Sequence, residues 1–462
     1  MLERSRVARA KAVLTLAACL VTFVLSSTTP SAGGAADGEF TLFLAGDTVI
    51  TERWSDDHDP DLKPLVDEIR GADVAVVNLK MLFHEYRGYG QADSGGGYVA
   101  ANPAVAIDLA WAGIDMLANA NNHTFDYGSL GVLENLDNVA RAGLLLAGSG
   151  KDLQAARTPA YFVHPDGTVA LVAAAATFTP YGRASRSRPD LYGRPGVNPL
   201  ATEPGRYLEL PPPAARAVWG AAEMLGLPRR RLDEEWFELF GMRIRSGGLG
   251  LRHGRRIDPR DLEGNLASIG QAAAKADLVV FSIHAHDQKG GWLTELAHRV
   301  IDAGADVFFA QGPHRVLGIE IYKGRPIFYG MGDFVFQPEQ AEHFPSETYE
   351  AYGLGDDATP EDVRNAAVAK KGFFQRREPW EAFAAVLRYR GGALEQIRLV
   401  PMDLGFDRAT PTRGMPRYAG EALGRRIIDY VSEMSRPYGT VIRYVEGENA
   451  GLVDLGQGRT TP

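Results

Sequence analysis

Six times along this chain a short apolar run stops abruptly at polar residues, and that recurrence limits the fold more than any other feature. Thr41–Ala45 runs into Gly46-Asp47, Asp73–Val77 into Asn78-Leu79-Lys80, and Ile114–Ala118 into Asn119-Ala120-Asn121-Asn122-His123. Leu278–Ile283 runs into His284-Ala285-His286-Asp287, Asp306–Ala310 into Gln311-Gly312-Pro313-His314, and Pro326–Gly330 into Met331-Gly332-Asp333. After the third of these, Asp126–Ser129 reads as a turn. Leu130, Leu133, Leu136, Val139 and Ala140 then recur at helical spacing until Gly143. Strand, polar loop and helix in short alternation predict an α/β fold with a parallel sheet, whose loops at the carboxyl edge bind ligands. Four of the ten histidines (His123, His284, His286, His314) fall at these strand ends, which points to one shared polar site.

Between these runs the chain supplies the expected helices and hairpins. Pro60-Asp61 opens a helix with Leu62, Leu65, Val66 and Ile69 on one face, and Pro103 opens another that runs to Trp111. Gly88–Gly97 reads as a flexible loop at the rim of the site. Pro165-Asp166-Gly167, Lys323-Gly324 and Gly391-Gly392 each join two apolar runs as a hairpin. Residues 181–260 and 337–378 break the rhythm and read as insertions, the first a lid or subdomain or else a mobile loop of solvated charges. Trp292–Ala303 and Glu421–Met434 are helical, and 411–462 reads as a C-terminal helix and a weakly structured tail. The working domain is thus residues 39–410.

The N-terminus reads as a targeting segment. Residues 1–11 carry four basic side chains, Ala12–Leu25 is almost wholly apolar, and small residues follow to Gly38. That apolar run is short for a membrane span, which needs about 20 residues. Cys19, the single cysteine, sits in Leu16-Ala17-Ala18-Cys19, which is similar to a lipoprotein box. The apolar residues after it favour ordinary cleavage or an uncleaved anchor over lipidation. The expected location of 1–38 is a signal peptide or anchor, and of the domain, outside the cytoplasm. One cysteine excludes a disulfide framework and a thiolate metal site. A net charge of -9, without a nucleic-acid-binding motif, argues against a nucleic-acid partner. An anionic substrate is still compatible if a metal or histidines supply local positive charge.

Aspartate, asparagine and imidazole suit Zn, Mn or Fe. His284 and His286, two apart, project to one face of a continuing strand and can grip a single ion, and Asp47 and His314 come from other strand ends. A metal there would acidify bound water or polarise a substrate oxygen. A lone aspartate after a strand is more commonly a helix cap or turn residue, whereas two histidines closing an apolar strand have few structural uses. His253 and His298 read as surface or structural residues.

GDT (46–48), NLK (78–80), ANNHTFDYG (120–128), IHAHD (283–287) and GPHRVLGIEIYKGRPIFYGMGDFVF (312–336), in that order, resemble the bacterial capsule-synthesis CapA family, also called poly-γ-glutamate synthesis proteins. The resemblance spans residues 40–336. It implies a metallophosphoesterase-like α/β/β/α sandwich with long insertions, and a setting in the cell envelope. It further implies that Asp47 is catalytic and a ligand of a first metal, Asn122 a ligand of a second, and His123 a general acid. His284, His286 and His314 would complete the metal shells. Asn78, Lys80, Gln311 and Asp333, at the same strand ends, are expected on their own position to face the substrate.

Two departures bear on that expectation. The family usually has Asn-Leu-Glu where this chain has Asn78-Leu79-Lys80, and a histidine near Gln311. A lysine in place of a bridging carboxylate puts an ammonium beside a dication. At 4 Å and an effective dielectric near 20, that costs about 4 kcal/mol for each unit of charge. Lys80 therefore points away, stands in for one metal, or marks a site that has lost one. One divalent ion (Mn, Zn or Fe) is expected rather than two, with Asp333 able to restore a negative charge. The functions to weigh are a metal-dependent hydrolase or transferase on an amide or phosphoester, and a non-catalytic envelope protein. The first would act on an anionic polymer such as poly-γ-glutamate or on a small molecule; the second would bind polymer or a membrane synthase.

Overall fold

The computed structural model describes residues 38–54, 61–231, 236–289, 291–370, 372–409 and 412–456. The N-terminal targeting segment, with Cys19, lies outside the described residues. Strands β1 (Glu39–Val49), β2 (Val74–Leu79), β3 (Met116–Ala118) and β4 (Leu145–Ala147) pair in parallel. Helices α1 (Lys63–Arg70), α2 (Ala104–Trp111) and α3 (Gly128–Arg141) alternate with them. The hairpin β5 (Ala160–His164) and β6 (Gly167–Ala175) starts a second sheet. A separate five-stranded sheet follows within 202–257, its last strand being β7 (Gly250–Ile257). Helix α4 (Pro259–Ala273), β8 (Leu278–His284), α5 (Trp292–Asp302), β9 (Val307–Gln311) and the hairpin β10 (Ile319–Tyr322) and β11 (Arg325–Phe328) come next. Strand β12 (Asp333–Phe336) returns to the end of β1. The hairpin β13 (Glu381–Arg390) and β14 (Ala393–Asp403), helix α6 (Glu421–Ser435) and the hairpin β15 (Ile442–Val445) and β16 (Ala450–Val453) finish the described chain.

The larger sheet runs β15-β16-β14-β13-β1-β2-β3-β4, antiparallel at one end and parallel at the other; the second runs β10-β11-β9-β8-β6-β5. The protein is a mixed α/β structure with several mixed sheets. Alternation along the strands builds its cores. Leu42 and Leu44 of β1 share one apolar cluster with Val280 of β8 and Phe309 of β9, so the two sheets face each other. Phe43 and Ala45, on the other side of β1, pack with Leu65 and Ile69 of α1 and Leu109 of α2. Val279 and Phe281 of β8 pack outward with Ile269 of α4 and Leu296 of α5. Central strands covered on both faces need apolar residues at every position, which is why they read as unbroken runs.

The structure moves several boundaries and overturns some expectations. The helix expected to begin at Pro60-Asp61 is α1, which begins at Lys63; Pro60 lies outside the described residues. Asp47 does not follow β1 but lies within it, at a break in register between Leu44 and Asp47. In α3 the leucine stripe is not the buried face: Leu130 and Leu133 are exposed, and Gly131, Val132, Asn135 and Val139 are buried. The reason is that α3 packs on polar scaffolding. Asn135 accepts from the Phe83 N–H, and a Cβ on Gly131 would lie 2.6 Å from the Tyr127 side chain. The tail expected to be weakly structured contains β15 and β16, which extend the larger sheet. Its turn needs a left-handed residue, and Asn449 supplies it at φ 46°. Five strands between 202 and 257 pair into one sheet, and Gly95 of the expected flexible loop is tied down at both its N–H and its carbonyl.

Candidate functional site

Parallel pairing brings the polar strand ends together. Asp47 lies in register with Asn78 of β2 on one side and Asp333 of β12 on the other. That approach requires glycine at position 46, since a Cβ there would lie 1.9 Å from the Gly332 carbonyl oxygen. On the second sheet, His284 and Gln311 are register partners.

The side chains form a continuous buried set. Asn78 Nδ2 donates to Asp47 Oδ1 at 2.6 Å, and Lys80 Nζ stands 2.9 Å from Asp47 Oδ2. Lys80 does not point away: its side chain is 1% exposed, and Nζ also reaches His314 Nε2 at 2.5 Å. An ammonium can only donate, so His314 Nε2 accepts and its proton lies on Nδ1, facing Asp333 at 2.8 Å. His314 thus links Lys80 to Asp333. His314 holds it from a left-handed backbone, φ 53°, a conformation uncommon outside glycine. His284 Nδ1 lies 3.7 Å from Asp47 Oδ1, too long for a hydrogen bond. Its Nε2 lies 3.1 Å from His286 Nε2.

Burial and Lys80 together set the charges. Burial pushes the Asp47 carboxyl up, but Lys80, His284 and His314 outweigh it and hold it well below the usual range. Burial raises Asp333 well above that range, and the charge on Asp47 adds to the effect. Burial and then Lys80 keep His314 neutral, and burial lowers His284 to about 4. Burial, with His284 and Lys80 beside it, lowers His286 to about 2. The cluster's ion pair is therefore the Asp47 carboxylate with Lys80.

His123 and Asn122 sit on the loop after β3. His123 Nδ1 lies 2.7 Å from Asp126 Oδ2. Asp126, which the sequence presents as a turn residue, also accepts the N–H groups of Gly95 and Val99. The spacing of three between His123 and Asp126 was its one signal. Asn122 donates through Nδ2 to the Gly95 carbonyl, and its Oδ1 is buried without a partner among the described residues. Asn119 and Asn121 both donate to the Leu79 carbonyl and so clamp the end of β2 beside Lys80. Gln311 Oε1 accepts from the Ser282 hydroxyl.

Asp47, His314 and Asp333 offer ligand atoms within 4.8 Å of one another and could hold a metal ion. The buried Asn78 Oδ1, Asn122 Oδ1 and His284 Nδ1 lack hydrogen-bond partners among the described residues, which also fits a cation nearby. Lys80 Nζ, however, already touches two of the three ligand residues. An ion in that trio and the ammonium in its present place exclude each other, at about 4 kcal/mol for each unit of like charge.

The family model described as "Bacterial capsule synthesis protein PGA_cap" matches residues 41–338, which include every residue of this cluster. An uncharacterized protein of Sinorhizobium fredii is 30% identical over 446 residues, 92% of this chain and 95% of that one. A "Probable polyglutamine synthesis accessory protein" of Mycobacterium tuberculosis is 28% identical over 47% of this chain and 44% of its own length. The "PGA biosynthesis protein CapA" of Bacillus subtilis is 37% identical over 82 residues, 17% of this chain and 22% of that one.

Proposed function

The chain belongs to the PGA_cap family of bacterial capsule synthesis proteins, and from that premise we propose that it is a hydrolase or transferase of capsule synthesis. It acts outside the cytoplasm, secreted or held by its N-terminus, on an amide or phosphoester bond of an anionic polymer such as poly-γ-glutamate. The facing sheets with helices outside them support a metallophosphoesterase-like α/β/β/α reading of the fold. The observation that carries the proposal is Lys80, lodged between Asp47 and His314 at the point where the strand ends converge.

On this reading the ammonium replaces one of two positive charges, and the site takes at most one divalent ion. Such an ion (Mn, Zn or Fe) would be held by the His284 and His286 pair with Asp47, or by Asp47, His314 and Asp333 once Lys80 has moved, and would polarise a substrate oxygen and acidify water. His123 is the general acid: Asp126 takes its Nδ1 side, which leaves Nε2 for the leaving group. Asn78 holds Asp47 in place, and Lys80 and Asp333 hold the two ring nitrogens of His314.

The same lysine also favours a second reading, a non-catalytic protein that binds polymer or a membrane synthase. The deciding experiment measures turnover of model esters and γ-glutamyl amides together with bound metal, in wild type and His284→Ala. The catalytic reading expects activity in wild type and its loss with His284. Polymer binding that survives a chelator, with no turnover, would replace it by the second reading.

A further inference from the structure

Next to His286 a cavity of about 520 Å³ opens between the second sheet and the inserted one. That volume falls within the range of small-molecule sites. Its walls include His286, Thr177, Trp292 and two guanidinium groups, Arg183 from the segment after β6 and Arg255 from β7. We infer that this cavity is a carboxylate-binding subsite, which holds one acidic repeat of an anionic chain while an adjacent bond lies at the histidines. The inference rests on the catalytic reading for what happens next to it, but not for the binding itself.

The charge around the cavity is arranged for an anion. Arg183 Nη2 donates to Asp261 Oδ1 at 2.6 Å, and Arg157 Nη2 reaches the same oxygen at 3.1 Å. One carboxylate therefore serves two guanidiniums. Arg255 donates through Nε to the Thr202 hydroxyl and through Nη2 to the Thr202 carbonyl, and its Nη1 meets Asp287 at 3.2 Å. Three cations thus face two carboxylates. Asp258 and Arg186, which also act on Arg157, add one of each sign and leave the surplus unchanged. Thr202 fixes the Arg255 fork, so the group is pre-oriented for bidentate recognition of a carboxylate. Asp287, nearly half exposed, is the counter-charge that an incoming carboxylate displaces.

The cavity also explains the insertion. Residues 202–257 contribute little to the three main cores, but they carry Arg255 to within reach of the strand ends.

The test is calorimetric titration of the full chain with a γ-glutamyl oligomer of defined length, beside the same oligomer with its carboxyls converted to amides. The expected result is saturable binding of the acidic oligomer that weakens with salt, and at least tenfold weaker binding in Arg255→Gln. Arg183→Gln/Arg255→Gln should weaken it further, while Arg255→Lys falls between wild type and Arg255→Gln because charge remains and the fork is lost. Thermal melts identify any variant that fails to fold, and Arg255→Lys then carries the comparison. Equal binding of the amide oligomer, no binding by wild type, or unchanged affinity in Arg255→Gln and Arg255→Lys would each overturn the inference. Binding as expected without turnover of any γ-glutamyl amide would remove the catalytic reading and leave the subsite standing.

Discussion

Lys80 and Arg255 each bring a positive charge to the surroundings of His286, but the Lys80 side chain is 1% exposed and that of Arg255 26%. The difference in burial gives the two charges different work. An ammonium out of water needs a permanent partner, and Lys80 has Asp47 on one side and a neutral imidazole on the other. A guanidinium at a wet wall can exchange one carboxylate for another at little cost, because surface pairs contribute only about 0–1 kcal/mol. One region stores a fixed charge balance and the other is open to an anionic partner.

The sharpest way to break this contrast is to remove the fixed charge. Lys80→Met leaves Asp47 buried without its cation, and should cost about 3–5 kcal/mol in chelator-treated protein. Added Mn or Zn should recover part of that loss, as read by urea unfolding with and without metal. A cost below about 1 kcal/mol would mean that Lys80 does not hold the cluster together.

His84 sharpens the comparison, because it is a buried imidazole outside the charged set. Its ring packs against Tyr86 and Tyr127, and burial lowers it to about 4. The unfolded chain therefore takes up a proton near pH 6.5 that the folded chain refuses until about pH 4. The stability this contributes is complete above 6.5 and is lost as pH falls towards 4, by about 3 kcal/mol. His84→Gln should flatten that part of the stability profile in acid unfolding curves, whereas Arg255→Gln should leave its shape unchanged.

Asp126 tests positioning. Asp126→Asn keeps the size of the side chain but weakens the hold on His123. On the catalytic reading it should lower kcat by about ten- to a hundredfold, with KM little changed. The basic limb of the pH–rate profile should move as well, which a purely structural effect would not produce.

The smallest effects belong to α3. Leu130→Ser, on the exposed face, should change stability by less than about 0.5 kcal/mol, whereas Val132→Ala should cost about 1 kcal/mol or more. The opposite order would restore the leucine stripe as the packed face.

Much of the site was legible because parallel strands advertise their ends. Asp47, Asn78, Lys80, His284, His286, His314 and Asp333 all follow or close apolar runs, and the sheet brings them together. What could not be read depends on packing. Helical spacing identifies α3 and its buried Val139, but not Gly131 or Asn135, whose partners are Tyr127, Leu82 and the backbone of Phe83. The importance of Asp126 is invisible until Gly95 and Val99 fold over it. The short hairpin of β15 and β16 carries too few residues to show alternation, and only its pairing with β14 makes it a strand pair of the main sheet. Nor does a string of arginines say which one faces a cavity; Arg255 is singled out by the register of β7.

The account turns on whether Lys80 takes the place of a metal. Mass-spectrometric metal content of protein purified in the presence of Mn and Zn, for wild type and Lys80→Glu, tests it most directly. The prediction is at most one ion per chain in wild type and one additional ion in Lys80→Glu. Two ions per chain in wild type, or the same content in both proteins, would contradict it.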